Sequence, residues 1–188
     1  MFARFVPKAS FLLLAFLIFA VASPISASAA SGSYVLLTLD KISGESKVAG
    51  AKGAIDLSSF SFAAANPVSM QGSGGGAGKP DYQDLAFTKF QDSATLPLLE
   101  SLTTGKSIKS GTIAFYRSQS TKPYLTIKLE NIFVTSDSLS AGGDADRIAE
   151  SFTLRAGKMT FVYEATDPKG QPVPAQTYEI DLIKGTKG

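Results

Sequence analysis

One run of alternating residues constrains this chain more than any other. From Tyr124 to Val134, Leu125, Ile127 and Leu129 alternate with Thr126, Lys128 and Glu130. A period of two is the mark of a strand with one buried face, so this segment has to lie in a sheet. The apolar parity then moves to Ile132 and Val134, which predicts a bulge near Glu130-Asn131. The same fault recurs earlier. Ile55 and Leu57 are odd, Phe60 and Phe62 even, and a bulge or bend at Ser58-Ser59 brings all four to one face; otherwise both faces are buried.

The rest of the chain reads in the same way. Tyr34 to Leu39 is a strand with Val35, Leu37 and Leu39 on one face, followed by a turn at Gly44-Glu-Ser-Lys47. Asp84 to Phe90 and Gly111 to Tyr116 are strands. Phe152/Leu154 and Met159/Phe161/Tyr163 are two strands or one strand kinked at Gly157. Tyr178, Ile180 and Leu182 form the last strand. Asn66 to Lys79 and Ser138 to Asp146 are read as loops, the first rich in glycine, and Asp167 to Pro174 as a turn region. The one good helix candidate is Ser93 to Thr104. Ser93 or Thr95 caps it, Pro97 fits its first turn, Gly105 ends it, and Leu98, Leu99 and Leu102 form its apolar stripe. The expected fold is mainly β: an antiparallel β-barrel or sandwich of two sheets with one short α-helix.

The N-terminus reads differently. Arg4 and Lys8 precede the unbroken apolar run Phe11 to Val21, Pro24 breaks it, and Ala27-Ser-Ala29 supplies small residues before Ala30. This is the pattern of a secretory signal peptide over residues 1–30, cleaved near Ala29 or Ala30. The apolar run is too short to span a bilayer, so no stable membrane insertion is expected after cleavage. Residues 31–188 are then a single domain, exported by the general secretory route to the periplasm or the medium. Removing Arg4 and Lys8 leaves that domain formally neutral, because the whole chain has 18 Lys and Arg against 16 Asp and Glu. Such a balance offers nothing to a nucleic acid or an anionic membrane.

The residue types limit the chemistry. With no histidine and no cysteine, a Ser-His-Asp or Cys-His site and a His/Cys zinc site are excluded. The glycine loop fails as a phosphate-binding loop, since Ser73 stands where the first glycine belongs and Pro80 where a Ser or Thr belongs. Gly72-x-Gly74-x-x-Ala77 matches a dinucleotide fingerprint in form only, because no helix is expected after it. A carboxylate pair for glycoside hydrolysis could be drawn from Glu130, Glu150, Glu164 or Glu179, but each reads more simply as an exposed strand or edge residue. Asp144 and Asp146 lack the further oxygen ligands of a calcium loop. Neither an enzyme activity nor a cofactor is expected. Lys106, Lys109, Arg117, Asp81 and Asp84 are read as solvated surface or interface charges.

Several segments together carry a resemblance. They are Tyr34-Val-Leu-Leu-Thr-Leu-Asp-Lys-Ile-Ser-Gly-Glu-Ser-Lys47, Ile55 to Phe62, Gly72-Ser-Gly-Gly-Gly-Ala-Gly-Lys79 with Pro80 to Phe90, Lys106 to Arg117, Tyr124 to Ser136 and Gly142 to Ser151. In this order, over roughly residues 33–184, the chain resembles the Hcp family, the ring-forming tube subunits of the bacterial type VI secretion system. It departs from many members in having Gly50-Ala-Lys-Gly-Ala54 where they carry a histidine element, and in its signal segment. The resemblance implies a barrel-like body with a helix at its side and a non-enzymatic role. It implies assembly of six copies into a ring whose pore holds effector proteins. It also implies that the glycine loop reaches a neighbouring ring, through Ser69, Gly72, Ser73, Gly74, Gly75, Gly76, Gly78 and Lys79. Other secretion-system components are further implied partners. The alternative is a monomeric secreted or periplasmic β-sandwich that binds a glycan, small ligand or protein through the Asn66–Lys79 and Ser138–Arg147 loops.

Overall fold

The computed structural model describes residues 32–69, 76–143, 145–183 and 186–187. The signal segment, with Ala27, Ala29 and Ala30, lies outside the described residues. So do Gly72, Ser73, Gly74, Gly75 and Asp144.

In chain order the strands are β1 (Tyr34–Leu39), β2 (Ile55–Leu57), β3 (Ser59–Ser61), β4 (Ala64–Ala65), β5 (Val68–Ser69), β6 (Gly76–Ala77), β7 (Asp81–Tyr82) and β8 (Leu85–Phe90). Helix α1 (Thr95–Thr104) follows. Then come β9 (Ile108–Tyr116), β10 (Pro123–Ser140), β11 (Ala149–Tyr163), β12 (Gln176–Asp181) and β13 (Thr186–Lys187). Every pairing between them is antiparallel.

Nine of the strands form one continuous sheet, ordered β13-β12-β11-β10-β9-β1-β2; β8 pairs the first part of β11, on the edge whose last part pairs β12, and β3 pairs β8. The segment Ile55–Ser61 turns this sheet into a barrel. It bends at Ser58, so β2 pairs β1 while β3 pairs β8. The Ser58 N–H donates to the Thr88 carbonyl at 2.8 Å within the bend. The bend anticipated from the parity fault is therefore the seam at which the barrel nearly closes. It also carries Ile55 into the core, with Leu57, Phe60 and Phe62 packed against it.

The second parity switch has a different cause from the one expected. The register of β10 with both neighbours runs through Glu130 and Ile132 without an inserted residue. Asn131 instead adopts a φ of 53°, in the left-handed region. Asparagine tolerates that conformation better than most residues. The switch is shared by three strands at one level. Ile108 and Ile113 on β9, Leu129 and Ile132 on β10, and Ala156 and Met159 on β11 are all buried, although each pair changes parity. Gly157 stands opposite Asn131, and a Cβ there would lie 3.3 Å from that of Asn131 and 2.7 Å from the Ile183 side chain. A true one-residue slip does occur in β10, but between Val134 and Ser136.

Two further boundaries differ, and one open alternative is resolved. β10 continues to Ser140, so the polar loop begins after it rather than at Ser138. The two alternatives for Phe152 to Tyr163 resolve as one strand, β11. The Asn66–Lys79 loop contains the short strands β5 and β6.

Helix α1 packs against β10 and sends Leu98 into the core. Its stripe is narrower than expected: Leu102 is partly buried, but Leu99 is exposed. Gly105 ends it at φ 64°, donating to the Leu102 carbonyl, and the Lys106 N–H donates to the Ser101 carbonyl at 3.2 Å. At the other end neither Ser93 nor Thr95 is the cap. The Asp92 carboxylate accepts the Ala94 N–H at 2.9 Å. Ser93 is turned away, its hydroxyl donating to the Ser43 carbonyl and its N–H to Glu45.

Candidate functional site

Two regions stand apart from the ordinary barrel: an arm and a buried ionic cluster. The arm leaves the barrel after β3 and returns at β8. Ala64 pairs with Tyr82 and Ala65 with Asp81, and further out Val68 pairs with Ala77 and Ser69 with Gly76. The Gln83 N–H donates to the Ala63 carbonyl at its base. Between the two ladders the Gly78 N–H donates to the Pro67 carbonyl at 2.7 Å. That approach needs glycine, because a Cβ on Gly78 would lie 2.8 Å from the Pro67 ring. The described flanks of the glycine segment are thus a β-ribbon, which gives the arm a direction. Val68 and Lys79 are exposed on it. The fingerprint match ending at Ala77 is set aside by the same geometry. Ala77 lies in a strand and leads into β7 and β8, not into a helix N-terminus that could hold a pyrophosphate.

Grooves flank the arm on two sides, and Pro80, Tyr82 and Ile180 line both. The larger, of about 470 Å³, runs over the Asn131–Gly157 kink and includes Phe133, Arg155 and Ile183. Arg155 is held there by Asp84, its guanidinium 2.5 Å from the carboxylate. Thr135 donates to the other Asp84 oxygen.

Among the other charges singled out from the sequence, Arg117 stacks over Tyr124 at 4.6 Å. Asp81 accepts from Gln83. Lys106 and Lys109 are exposed.

The carboxylates do not converge. Glu130 and Glu179 lie on either side of Lys158, at 3.9 Å and 3.0 Å. The hydrogen bond from Lys158 to Glu179 holds the ammonium pKa above its ordinary value, against a smaller opposing effect of desolvation. Glu164 is exposed.

Glu150 is the exception, and its reading as an exposed strand residue is overturned. It is fully buried, 2.6 Å from the equally buried Lys89 ammonium. Lys89 also donates to Asp92 at 2.7 Å and to Thr95 at 2.9 Å. The Thr95 hydroxyl donates in turn to Glu150. β8, β11 and the first turn of α1 are thereby joined through one ammonium. Asp137 of β10 completes the cluster. Its pKa is raised, chiefly by burial and then by the Glu150 charge, while Lys89 and the Ser138 N–H act in the opposite sense.

The alternation could have revealed this cluster. Lys89 shares parity with Leu85 and Phe87, and Glu150 with Phe152 and Leu154, so each belongs to an inward face. An inward lysine and an inward glutamate are the signature of a buried pair. Among the described residues no group of His, Cys, Asp and Glu is arranged to hold a metal ion. None of their helices is long and apolar enough to cross a membrane.

Known proteins supply the family. Residues 36–163 match the family described as type VI secretion system effector, Hcp. Protein hcp1 of Pseudomonas aeruginosa is 30% identical over 94 residues, 49% of this chain and 58% of that protein. The chain thus spans a little over half the length of this curated relative. A solved type six secretion system protein superposes with a TM-score of 0.75 at 24% identity, covering 82% of this chain and 99% of the other. Hcp1 from Salmonella typhimurium does so at 0.69 and 22%, covering 84% and 99%. At these identities the two structures establish a common fold, and the sequence match establishes the lineage: this chain belongs to the Hcp family of type VI secretion system proteins.

Proposed function

We propose that this chain is a non-enzymatic subunit that assembles with about six copies of itself into a closed ring with a central pore, resembling a type VI secretion tube subunit. The observation that carries the reading, beside family membership, is the arm. Two short ladders and the Gly78–Pro67 contact hold it as a ribbon separate from the main sheet, which suits a segment made to reach a neighbour. Rings stack through it, with Ser69, Gly72, Ser73, Gly74, Gly75, Gly76, Gly78 and Lys79 at the junction. The pore carries effector proteins, and secretion-system components are further partners. No cofactor is required.

The signal segment adds a route. After cleavage near Ala27, Ala29 and Ala30 the domain leaves by the general secretory pathway and forms rings in the periplasm or the medium. Negative-stain imaging of the purified domain tests the assembly. Rings, alone or stacked, support it; isolated single subunits overturn it.

The grooves beside the arm favour a second reading, a monomeric exported module that takes a glycan, small ligand or protein there. A monomer with saturable ligand binding would favour it.

A further inference from the structure

The cluster beneath α1 has an unbalanced charge. One ammonium, that of Lys89, faces three carboxyl groups: Glu150 on β11, Asp92 in the turn before α1, and Asp137 on β10. The Lys89 hydrogen bonds go to Glu150, Asp92, Thr95 and, more weakly, the Phe90 carbonyl. Oε1 of Glu150 is left buried without a hydrogen-bond partner, and the buried oxygens of Asp137 have no side-chain partner, only the neighbouring Ser138 N–H. Carboxylate oxygens cut off from water without a full set of partners are costly, and two like charges that share one ammonium more so.

The register places these two carboxyl groups together. Asp137 stands opposite Phe152, and Glu150 opposite Leu139, so the two are diagonal neighbours on one face of the β10–β11 ribbon. A proton on Asp137 would remove one of the two facing charges. It would also put an O–H donor on the same face as the one free acceptor of Glu150. Among the described residues, the charges that act on Asp137 are those of Glu150 and Lys89. Glu45 accepts the Ser93 N–H, ahead of α1, at 3.1 Å, and the exposed Arg147 lies over the Phe90 ring.

We infer that Asp137 is a proton-holding latch for α1. Protonated, it donates to Glu150 and completes the network that runs through Lys89 to Asp92 and Thr95 at the helix N-terminus. Ionised, it sets a second negative charge against Glu150 and loosens that end of the helix. Asp137 acts on α1 through Glu150 and Lys89, as a positioning residue. The sign follows from the raised carboxyl pKa. The folded state holds this proton more tightly than the unfolded chain does. Its contribution is therefore complete below the ordinary aspartate range and is lost as pH rises through the folded value. The latch is tighter in acid, and it does not depend on whether rings form.

The test compares the whole exported domain with its Asp137→Asn variant, whose amide donates a hydrogen bond at any pH. Hydrogen exchange of the α1 amides and the thermal midpoint are followed from about pH 4 to about pH 8. The expected result is wild-type α1 protection that falls with rising pH, flat protection in Asp137→Asn, and a midpoint difference in favour of the variant that widens with pH. A midpoint difference independent of pH overturns the inference. Titration of the Asp137 carboxyl carbon by NMR in the wild type decides the matter even if the variant does not fold. A midpoint above the ordinary aspartate range supports the latch, and one within that range overturns it.

Discussion

The Lys89 ammonium and the Glu150 carboxylate lie 2.6 Å apart with both side chains wholly removed from water. Such a pair adds little net stability against an apolar pair of the same volume, but breaking it leaves a bare charge in the core. Lys89→Met should therefore cost about 3–5 kcal/mol in urea denaturation. Lys89→Met combined with Glu150→Leu should recover most of that loss. If the double variant is as unstable as the single one, the pair is not the reason.

The left-handed residue Asn131 sets a second prediction. Because β9, β10 and β11 all change parity at its level, its backbone is held there by core residues on both sides. Asn131→Gly should be close to neutral. Asn131→Val, which adds a β-branch at positive φ, should cost about 1–2 kcal/mol by the same measurement. Equal stability of the two variants would contradict the account of the switch.

A third concerns Gly44. A Cβ there would lie 2.5 Å from the Ala54 carbonyl oxygen and 2.7 Å from the Ile55 Cα, both backbone atoms with no easy retreat. Gly44→Ala should cost about 1–3 kcal/mol. Gly142→Ala, with nothing within 4 Å, should change stability by less than about 0.5 kcal/mol.

The arm gives a fourth. Gly78→Val forces a side chain onto Pro67 between the two ladders of the ribbon. The barrel is built elsewhere, so its thermal midpoint should hold and single rings should still form. Stacks of rings should shorten or vanish in negative-stain images. Stacks of normal length would show that the arm's geometry is not what joins rings.

How much of this was open to reading from the sequence depends on whether the signal was local. The bend at Ser58 was legible because four apolar residues within eight positions conflict in parity. What the bend does was not legible: closing the barrel needs β1 and β8, which are distant in the chain, to lie on either side of it. Near Asn131 the fault was visible but its cause was not, since an inserted residue and a left-handed residue shift the pattern alike. The glycines from 72 to 78 obscured the ribbon, because so flexible a run suggests loop before strand. Lys89 and Glu150 were passed over for a simpler reason. A charged residue type suggests exposure, as in the reading of Glu150, although the alternation around each residue points inward.

Self-assembly is decided by the mass of the particle in solution. The measurement is light scattering on a sizing column with Ala30–Gly188 at several concentrations. A particle of about six subunits that persists on dilution is expected. A clean monomer at high concentration would contradict it and leave a barrel that kept the fold of its family without the ring.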